Sequence, residues 1–596
     1  MTRPTNFYSG LLRTFWTRPA AALEALYWNA TGRKVRARNR LRLAREQSPS
    51  AYAIWINEIE QNSKILSQIP ITISNWDRRP ALSICLHQQP GWDQVDLEVL
   101  LADLREQPYP AWELILVPAP GATALHLELS PNTQLTDRST SDPAEALRWA
   151  ADLAQHDFLV PLRPGVRLPP AALYHYAHAL RDHAGASLFF GDHDYLDDNG
   201  KRHTPWLKPE WNGELVLAQD YVSQAFAVSR SLTQEILRAP FPTNAAPLYA
   251  LCLAAGDARA VPSPVHVPHI LAHAEKRAAL GNQDDFLATT QAHLANAGHT
   301  DAHASYGPYD TVRVQWPLPD PVPLVSILIP TRDKVNLLSA CVSSLFSKTD
   351  YPNMEVIIID NGSSQNETMA FLSAARDDLG VKIIRDDRPY NYSQLNNLAA
   401  EKAVGDYLCL LNNDTEIIQP SWLREMIRQA IRPNIGAVGA KLLYDDMSIQ
   451  HAGVVIGLCG SAGHVHRYLP NDNPGYFARA HVAHYVSAVT AACLVVKKGK
   501  FHEVGGLDEE NLAIAFNDVD FCLKLEKRGW RNLYEPNAVL FHHESKSRGR
   551  DTSRQNIERY LRELHVLRER WGAIDYQDPL HHPHLDRSSE TYLLGL

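Results

Sequence analysis

Three short groups of polar residues follow apolar runs in the second half of the chain, at residues 331–333, 360–364 and 412–416. Runs that are apolar throughout are typical of strands buried on both faces of a parallel sheet. Ligands of such sheets bind beyond the carboxyl ends of the strands, so the three groups predict one shared site. Their carboxylates suit a hard divalent cation such as Mg²⁺ or Mn²⁺, which bridges carboxylate and diphosphate oxygens.

Two common nucleotide-binding motifs are absent from the sequence. No G-x-G-x-x-G follows a strand-like run, and no G-x-x-x-x-G-K-[ST] occurs, which excludes a dinucleotide fingerprint and a P-loop. A nucleotide bound through carboxylates and a metal ion is the natural option that remains.

The elements that would position these groups follow an α/β pattern. Short apolar runs alternate with helical patterns, which predicts a domain built on a parallel sheet. The predicted strands are residues 325–329, 355–359, 381–384 and 407–411.

The first half of the chain repeats this pattern. The apolar run at residues 80–87 resembles the run at 323–330, and the segment 109–117 resembles 351–359. The matching pairs are Ser83 with Ser326, Glu113 with Glu355 and Asp157 with Asp406, separated by 243, 242 and 249 residues. Colinear matches at a nearly constant, domain-sized spacing predict two tandem domains and exclude a solenoid.

Length and composition are those of a soluble globular protein. The chain has 596 residues, 45% hydrophobic and 21% charged, which excludes a disordered chain, a collagen and a coiled-coil rod. The net charge of −9 excludes a nucleic-acid binder of the basic type.

No apolar run approaches the roughly 20 residues of a membrane-spanning helix, and the first residues lack a secretory signal pattern. Seven cysteines without a C-x-x-C pair are typical of reduced thiols in a cytosol.

The charge is concentrated at one end. Residues 1–46 carry ten Lys or Arg against two Glu, a net charge of +8 that leaves −17 for the rest of the chain. The apolar residues of the same segment are Phe7, Tyr8, Leu11, Leu12, Phe15 and Trp16. This combination predicts contact with an anionic membrane surface; the alternative is a solvated helix packed on the body of the protein.

Six motifs, in order, resemble those of glycosyltransferase family 2, whose members have the GT-A nucleotide-sugar fold. They are VSILIPTRD at 325–333, EVIIIDNGS at 355–363, LLNNDTE at 410–416, GGLDE at 505–509, NDVDFCL at 517–523 and HHES at 542–545. Each motif alone is weak, and their common order over residues 323–550 makes the resemblance specific. It implies an α/β fold of two tandem GT-A domains, Rossmann-like nucleotide-diphospho-sugar transferase units, behind a helical N-terminal extension.

The resemblance also implies a pocket for a nucleoside-diphosphate sugar donor. Its residues would be Thr331, Arg332, Asp333, Asp360, Asn361, Asn397, Asn412, Asn413, Asp520 and Arg548. Arg548 belongs to a basic loop at residues 546–548 that would close on the diphosphate, since guanidinium and ammonium groups suit phosphate charge.

The metal ligands implied by the resemblance are Asp414 and His542, which would bind Mn²⁺ or Mg²⁺. Residues 412–414 stand at the family's D-x-D position and keep only the last carboxylate, so Asp414 is expected to be the principal ligand. The alternative role for Asp414 is that of a helix or turn cap. His543 is the alternative to His542, and only one of them is expected to bind because successive strand residues face opposite sides.

Asp518 matches the family's general base. An inverting transfer needs one carboxylate within about 3 Å of the acceptor hydroxyl to take its proton. Asp520 is expected to face differently and to stabilise the start of the helix, and the reverse assignment of the two residues is the alternative.

The first copy lacks these groups. Arg163, Pro164 and Gly165 stand where the second copy has residues 412–414, and Pro118 stands where it has Asp360. The first copy is therefore expected to be degenerate, serving as a scaffold or holding a glycan acceptor.

The expected organisation has five parts. They are a basic helical region at 1–75, a degenerate GT-A-like domain at 76–275, a helical linker at 276–322, a catalytic GT-A domain at 323–572 and a tail at 573–596.

The expected protein is a cytoplasmic, metal-dependent, inverting glycosyltransferase of the O-antigen or rhamnosyltransferase type. Its acceptor would be a glycan or lipid-linked glycan in bacterial surface polysaccharide synthesis. It would bind no nucleic acid, and its basic N-terminus would contact the cytoplasmic face of the inner membrane. The first alternative is a non-catalytic glycan-binding or scaffold protein. A nucleotidyltransferase ranks low because the loop after residue 329 contains no glycines.

Overall fold

A computed structural model gives the fold of the chain. It describes residues 18–32, 34, 36–37, 40–41, 44, 51–60, 62–88, 94–122, 132–238, 246–257, 263–275, 281–543 and 554–595. Residues 1–17 and the loop that contains Arg548 lie outside the described residues, as do the contacts predicted for them.

The described part of the N-terminal region is helical, as predicted. It contains α1 (Pro19–Ala30), α2 (Ala51–Trp55), a π-helical turn (Ile56–Glu60) and α3 (Asn62–Ser74). Pro19 occupies the first turn of α1, where a residue without an N–H group is tolerated.

The first α/β unit begins at residue 82. Its strands are β1 (Leu82–Gln88), β2 (Trp112–Pro118), β3 (Thr133–Leu135), β4 (Phe158–Leu162), β5 (Val166–Arg167), β6 (Leu188–Leu196), β7 (Arg202–Trp206), β8 (Phe226–Ser229) and β9 (Val265–Glu275). Its helices are α4 (Gln94–Arg105), α5 (Pro143–Leu153), α6 (Ala172–Asp182), α7 (Gly213–Ala218), α8 (Arg230–Ile236) and α9 (Pro247–Ala255).

The segment predicted as a helical linker is only partly helical. It contains α10 (Gln283–Asn296), which a reciprocal capping box between Asn282 and Asp285 begins. An antiparallel hairpin of β10 (His303–Tyr306) and β11 (Val312–Gln315) follows, which the sequence did not predict.

The second α/β unit begins at residue 325. Its strands are β12 (Val325–Thr331), β13 (Met354–Asp360), β14 (Lys382–Arg385), β15 (Tyr407–Leu411), β16 (Thr415–Ile417), β17 (Ile435–Leu443), β18 (Ile449–His451), β19 (Val454–Ile456), β20 (Ala462–His464), β21 (His484–Tyr485), β22 (Cys493–Lys497) and β23 (Arg531–His542). Its helices are α11 (Val335–Lys348), α12 (Asn366–Leu379), α13 (Tyr392–Lys402), α14 (Trp422–Ala430), α15 (Lys498–Glu503), α16 (Asn517–Lys527) and α17 (Arg554–Trp571). Short 3₁₀ turns lie at Leu458–Gly460 and Tyr476–Ala478.

The two large sheets have the same strand order. It is β3-β2-β1-β4-β8-β6-β9-β5 in the first unit and β14-β13-β12-β15-β22-β17-β23-β16 in the second. In each unit one further strand, β7 or β18, pairs with the sixth strand of this order. The predicted α/β class and its tandem repetition are therefore confirmed.

Both faces of the second sheet are covered, which explains why its strands are apolar throughout. On β12, Val325, Ile327 and Ile329 pack into the core on one face, and Leu328 packs into the core on the other. Alternating side chains of a strand point to opposite faces, so each core receives every second residue.

The residues that revealed the repeat are structural. The Glu113 carboxylate accepts hydrogen bonds from the Ser83 hydroxyl at 2.6 Å and the Gln155 N–H at 2.7 Å. The Glu355 carboxylate accepts equivalent bonds from the Ser326 hydroxyl and, at 2.7 Å, from the Val404 N–H. Each glutamate therefore ties its strand to the loop that precedes the fourth strand of the sheet order.

The 23 residues from 573 to 595 are packed between the two units. Asp578 accepts hydrogen bonds from the Ile456 N–H and the Ser487 hydroxyl of the second unit. His582 contacts Asp192 of the first unit at 2.8 Å. Among the helices that the structure describes, none is both long and apolar enough to cross a membrane.

We predict that Glu355→Gln lowers the free energy of unfolding by about 1–3 kcal/mol, because the neutral amide is a weaker acceptor for the buried Ser326 hydroxyl, the Val404 N–H and the Lys382 ammonium group. Burial alone would raise the pKa of Glu355, but hydrogen bonds from Lys382, Ser326 and Val404 lower it. A carboxylate whose pKa is lower in the folded state stabilises the fold above its unfolded pKa. The difference between wild type and variant should therefore shrink as the pH falls through the folded pKa.

Urea unfolding followed by tryptophan fluorescence measures this difference. Glu401→Gln, at an exposed position of α13, is the control and should change stability by less than about 0.5 kcal/mol. Equal stability of the Glu355 variant and this control would show that the carboxylate is not a structural tie.

Candidate active site

The predicted site lies at the carboxyl ends of β12, β13 and β15. Thr331 and Asp360 end adjacent parallel strands in register, and the Asn361 N–H donates to the Thr331 carbonyl at 2.8 Å. Asn413, after β15, donates from its amide to the Thr331 hydroxyl at 2.9 Å. The structure therefore brings residues from three strand ends together, as their sequence positions predicted.

Asp360 shapes the loop after β13. Its carboxylate accepts from the Ser363 N–H at 2.9 Å and from the Arg385 guanidinium at 2.5 Å. Asn361 is 1% exposed, and its amide donates to the carbonyl groups of Asp386 and Arg388 at 2.9 and 2.8 Å. The Asn361 Oδ1 atom has no hydrogen-bond partner among the described residues. A buried acceptor without a donor is uncommon, and such an atom suits a ligand N–H group.

Asp333 joins two strand-end loops. Its carboxylate accepts from the Ser364 and Gln365 N–H groups at 2.9 and 3.0 Å, while its own N–H donates to Ser363 Oγ at 2.8 Å. Asp333 and Lys334 have φ values of 50° and 58°, a left-handed conformation that is costly for residues other than glycine. The hydrogen bonds hold the backbone in this conformation at the mouth of the site.

Asp414 lies beside His542 because β16 pairs antiparallel with the end of β23. Thr415 is opposite His542 in this ladder, and the His543 N–H donates to the Asp414 carbonyl at 2.9 Å. Asp414 Oδ1 is 3.2 Å from His542 Nε2, and Asn412 Nδ2 is also 3.2 Å from that nitrogen. Asp414 is 3% exposed.

Gln450 on β18 sets the tautomer of His542. Its amide nitrogen donates to the His542 carbonyl at 3.2 Å, so its Oε1 atom faces His542 Nδ1 at 2.6 Å. Nδ1 must then carry a proton, which leaves the lone pair of the neutral ring on Nε2, next to the Asp414 carboxylate. Metal-binding histidines typically have such a partner on the ring nitrogen that does not face the metal, and it fixes their tautomer.

His543 faces the other side of the strand. Its Nδ1 atom pairs with Asp445, and its Nε2 atom is 3.6 Å from Glu416. It does not contact Asp414 through its ring, so the geometry favours His542 over His543 as the candidate ligand.

Asp518 stands at the start of α16, and its carboxylate accepts from the Ala491 N–H at 3.1 Å and the Val519 N–H at 2.9 Å. Burial raises the pKa of the Asp518 carboxyl above its ordinary value, although these hydrogen bonds oppose the shift. The next residue, Ala492, accepts the Asn412 N–H at 3.0 Å. Two successive residues of one segment therefore link Asp518 to the strand end that carries Asp414.

Two predicted residues have their polar groups engaged elsewhere. Asp520 is fully buried on another side of α16 and accepts from Arg570 at 2.8 Å and the Trp571 indole at 2.9 Å. Asn397 spans the loop at 507–509, donating to Leu507 and Glu509 and accepting the Leu507 N–H. The structure thus does not bring Asp520 or Asn397 to the strand ends, and it leaves the Arg332 side chain exposed.

Residues 326–477 match the sequence profile of "Glycosyl transferase family 2". The chain carries a glycosyltransferase family 2 domain. It is 34% identical to an uncharacterized protein of Sinorhizobium fredii over 522 residues, 84% of this chain and 57% of that protein. It is also 34% identical to the O-antigen biosynthesis protein RfbC of Myxococcus xanthus over 535 residues, 86% of this chain and 41% of that protein. The chain thus spans about half the length of these curated relatives.

A third relative is similar over a shorter region. It is the N-acetylglucosaminyl-diphospho-decaprenol L-rhamnosyltransferase of Mycobacterium tuberculosis, 25% identical over 244 residues, 36% of this chain and 74% of that protein.

The first unit has the same geometry as the family 2 domain without its candidate ligands. β5 pairs with β9 as β16 pairs with β23, so Val166 is opposite Ala274 where Thr415 is opposite His542. Gly165 precedes β5 at the place of Asp414, and its carbonyl accepts the Glu275 N–H at 2.8 Å. Both candidate metal ligands of the family 2 domain are thus replaced by residues without ligand atoms in their side chains.

A second cluster of potential ligands lies away from the family 2 site. Asp192, His266 and His582 bring three ligand atoms within 4.8 Å of one another. The two Nε2 atoms contact the Asp192 carboxylate at 2.9 and 2.8 Å, and the Lys208 N–H donates to it at 2.8 Å. His582 Nδ1 accepts the His584 N–H at 3.0 Å, so the proton of the neutral ring is on Nε2, where a metal would have to bind. The cluster is better described as hydrogen bonds that join the C-terminal segment to the first unit.

Gln450 was not predicted to have a role at this site. Its contact with His542 depends on the pairing of β18 with β17. The signal in the sequence is only that Gln450 is a polar residue between the apolar Ile449 and the next residue, His451.

We predict that His582→Ala lowers the free energy of unfolding by about 3 kcal/mol and so lowers the thermal midpoint of unfolding. The variant removes one donor from a buried carboxylate. Burial alone would raise the pKa of Asp192, but the imidazoles of His582 and His266 lower it, so the carboxylate carries a charge that needs these donors. Differential scanning calorimetry measures the shift.

His565→Ala is the matched control, because the His565 side chain is 72% exposed on α17. If the cluster binds no metal, added Zn²⁺ or EDTA should change the thermal midpoint of the wild type no more than that of His582→Ala. A midpoint that rises with Zn²⁺ in the wild type and not in His582→Ala would show that the cluster is a metal site.

Proposed function

We propose that the chain is a metal-dependent, inverting glycosyltransferase that moves a sugar from a nucleoside-diphosphate sugar to a glycan or lipid-linked glycan. The observation that carries this proposal is the partly buried Asp518 carboxylate, linked through residues 491 and 492 to the strand end that carries Asp414. The O-antigen and rhamnosyltransferase names of two relatives support a role in bacterial surface polysaccharide synthesis.

We propose Asp414 and His542 as ligands of Mn²⁺ or Mg²⁺. A carboxylate oxygen and an imidazole lone pair, 3.2 Å apart and both acceptors, are a donor set that suits a divalent cation. The amide of Asn412 lies beside them at the position of the missing first carboxylate. When bound, the cation would neutralise charge on the diphosphate leaving group.

The donor would lie against the strand ends. Thr331, Asp360 and Asn361 line the side of β12 and β13, and the Asn361 Oδ1 atom is an acceptor for a base or ribose donor group. Asp333 and Asn413 hold the loops around it. Asp520 and Asn397 are left out of this pocket, because their partners lie in other parts of the unit.

Asp518 would take the proton of the acceptor hydroxyl. A general base must lie within hydrogen-bonding distance of that hydroxyl, and a pKa nearer to the working pH makes it a better base. Burial raises the pKa of Asp518 in this direction. The N–H groups of Ala491 and Val519 fix the carboxylate for in-line attack on the donor sugar.

The N-terminal region supports a proposal about the location. We propose that the protein works in the cytoplasm, in contact with the inner membrane through its basic N-terminal residues. In α1, Leu23, Leu26 and Tyr27 are 57%, 44% and 59% exposed and form a stripe at helical spacing. An apolar stripe next to basic residues suits an anionic lipid surface.

A non-catalytic glycan-binding protein is the other candidate function. The first unit fits it, since Gly165 and Ala274 provide no ligand atoms there. Hydrolysis of a nucleotide-sugar donor by the full chain in the presence of Mn²⁺ distinguishes the two functions, because a scaffold would leave every donor intact.

We predict that Asp518→Asn lowers kcat by about 10²–10⁴-fold, because the amide cannot accept a proton. Donor affinity should stay near that of the wild type, because the amide keeps a similar shape and the donor contacts lie at the strand ends. Transfer kinetics and isothermal titration with the donor measure the two quantities. In the wild type, the rate should fall on the acid side at a pH above the ordinary carboxyl range, following the raised pKa of Asp518.

Asp520→Asn is the control variant two residues away. It loosens the contact with Arg570 and Trp571, so we expect reduced thermal stability with kcat changed far less than in Asp518→Asn. Normal transfer by Asp518→Asn would remove this residue from the role of base.

We predict that Gln450→Ala weakens Mn²⁺ binding by about 10–100-fold, because His542 loses the amide that fixes its tautomer. Isothermal titration of the metal-free chain with Mn²⁺ measures this change. His543→Ala is the matched control, since its ring pairs with Asp445 and Glu416. The reverse result, with Mn²⁺ binding lost in His543→Ala and kept in Gln450→Ala, would move the ligand role to His543.

A further inference from the structure

A large cleft lies at the junction of four parts of the chain. Its volume is about 1060 Å³, above the usual range of about 300–1,000 Å³ for small-molecule sites. It is lined by α2 and the following turn, by residues 197–205 of the first unit, by residues 466–477 of the family 2 domain, and by residues 585–594.

The walls of this cleft combine aromatic and polar side chains. Tyr52, Tyr476 and Tyr592 contribute rings, and Lys201 and Asn473 contribute polar groups. A saccharide has the complementary chemistry, since apolar C–H faces alternate with hydroxyl groups along each ring. Aromatic side chains with a polar end suit such a mixed surface.

His466 provides a hydrogen-bond donor that the protein does not use. It lines the cleft and is 1% exposed. Its Nε2 atom accepts the Tyr476 N–H at 3.1 Å, which places the proton of the neutral ring on Nδ1. Nδ1 has no hydrogen-bond partner among the described residues. Such a buried donor costs free energy unless a ligand oxygen accepts from it.

Backbone strain is concentrated around the same cleft. Thr204, His466, Phe477 and Tyr592 all line it and have φ values of 48°, 59°, 47° and 37°. Non-glycine residues in this region cost about 1–3 kcal/mol each and are found most often at ligand sites. Four such residues from three separate segments indicate a surface whose shape is determined by more than packing.

The cleft adjoins the candidate active site across one strand. The Tyr468 N–H donates to the Ile449 carbonyl at 2.8 Å, and the Ile449 N–H donates to the Leu469 carbonyl at 2.7 Å. Leu469 lines the cleft, while the next residue of β18, Gln450, contacts His542. The cleft is therefore one strand away from the residue that contacts the candidate ligand His542.

We propose that this cleft binds the part of an extended saccharide acceptor that lies away from the hydroxyl group receiving the new sugar. The proposal rests on the proposed function and deepens it: the acceptor is a chain of several sugar units. The first unit would then contribute a wall of the acceptor site through residues 197–205. A hydrocarbon chain fits less well, because it would leave His466 Nδ1 without a hydrogen-bonding partner.

The test uses the full chain and a defined panel of mono- to hexasaccharides of rhamnose, mannose, glucose and galactose. Binding is measured by saturation-transfer NMR and isothermal titration. We expect affinity for at least one sugar series to rise with chain length, because longer chains fill more of the cleft.

Ala53→Trp tests the location. Ala53 is exposed on α2 and lines the cleft, so the larger side chain should obstruct it and weaken binding of the longer saccharides about tenfold or more. Ile54→Trp is the matched control, since Ile54 is the next residue, is 40% exposed and is not among the lining residues. Lys201→Ala is a second cleft variant at an exposed position and should weaken binding in the same direction.

Three results would overturn the proposal. The first is an absence of saccharide binding to the wild type, and the second is equal saccharide binding by wild type and Ala53→Trp. The third is that the wild type binds farnesyl phosphate and no saccharide, and that Ala53→Trp abolishes the binding of farnesyl phosphate. The last result would identify a lipid cleft. Donor hydrolysis by the wild type with Mn²⁺ is measured in parallel, and its absence would contradict the proposed function without bearing on saccharide binding.

Discussion

The antiparallel pairing of β16 with β23 is the interaction on which the candidate site depends. β15 lies in the middle of the sheet, and only residues 412–414 separate it from β16, which pairs with the C-terminal end of β23. This pairing sets Thr415 opposite His542, and so places Asp414 beside the imidazole. A slip of one residue would turn the facing side chains to the other side of the strand, so the ladder register decides which histidine meets the carboxylate.

The same register is present in the first unit without the chemistry. Val166 faces Ala274 there, and the Gly165 carbonyl accepts an N–H as the Asp414 carbonyl does. The fold therefore tolerates the loss of both side chains, since backbone hydrogen bonds alone maintain the pairing. The hydrogen bond from a strand serine to a glutamate on the next strand is present in both units, as Ser83–Glu113 and Ser326–Glu355. Its presence in both indicates that it stabilises the sheet and has no part in the reaction.

Much of the fold could be predicted from the sequence because its signals are local. The strand predicted at 407–411 matches β15, and the other three agree within one or two residues at each end. The grouping of Thr331, Asp360 and Asn413 followed from the rule that parallel strands end at one edge. The direction of Asp520 and the contact of Gln450 were not predictable in this way, because they depend on α17 and β18, which approach from distant parts of the sequence. The packing of residues 573–595 between the units was missed for the same reason: a short polar segment gives no periodic pattern.

The energetics of the buried charges favour a catalytic reading of the second unit over a scaffold reading. Asp414 is buried and Asp518 is partly buried, and taking a carboxylate out of water costs free energy unless a partner compensates. Burial raises the pKa of the Asp518 carboxyl although backbone N–H groups donate to it. The first unit shows that the same sheet forms with a glycine and an alanine at the positions of the two candidate metal ligands. Since the sheet of the first unit forms without counterparts of Asp414 and His542, their presence in the unit that also carries Asp518 is better explained by chemistry than by stability.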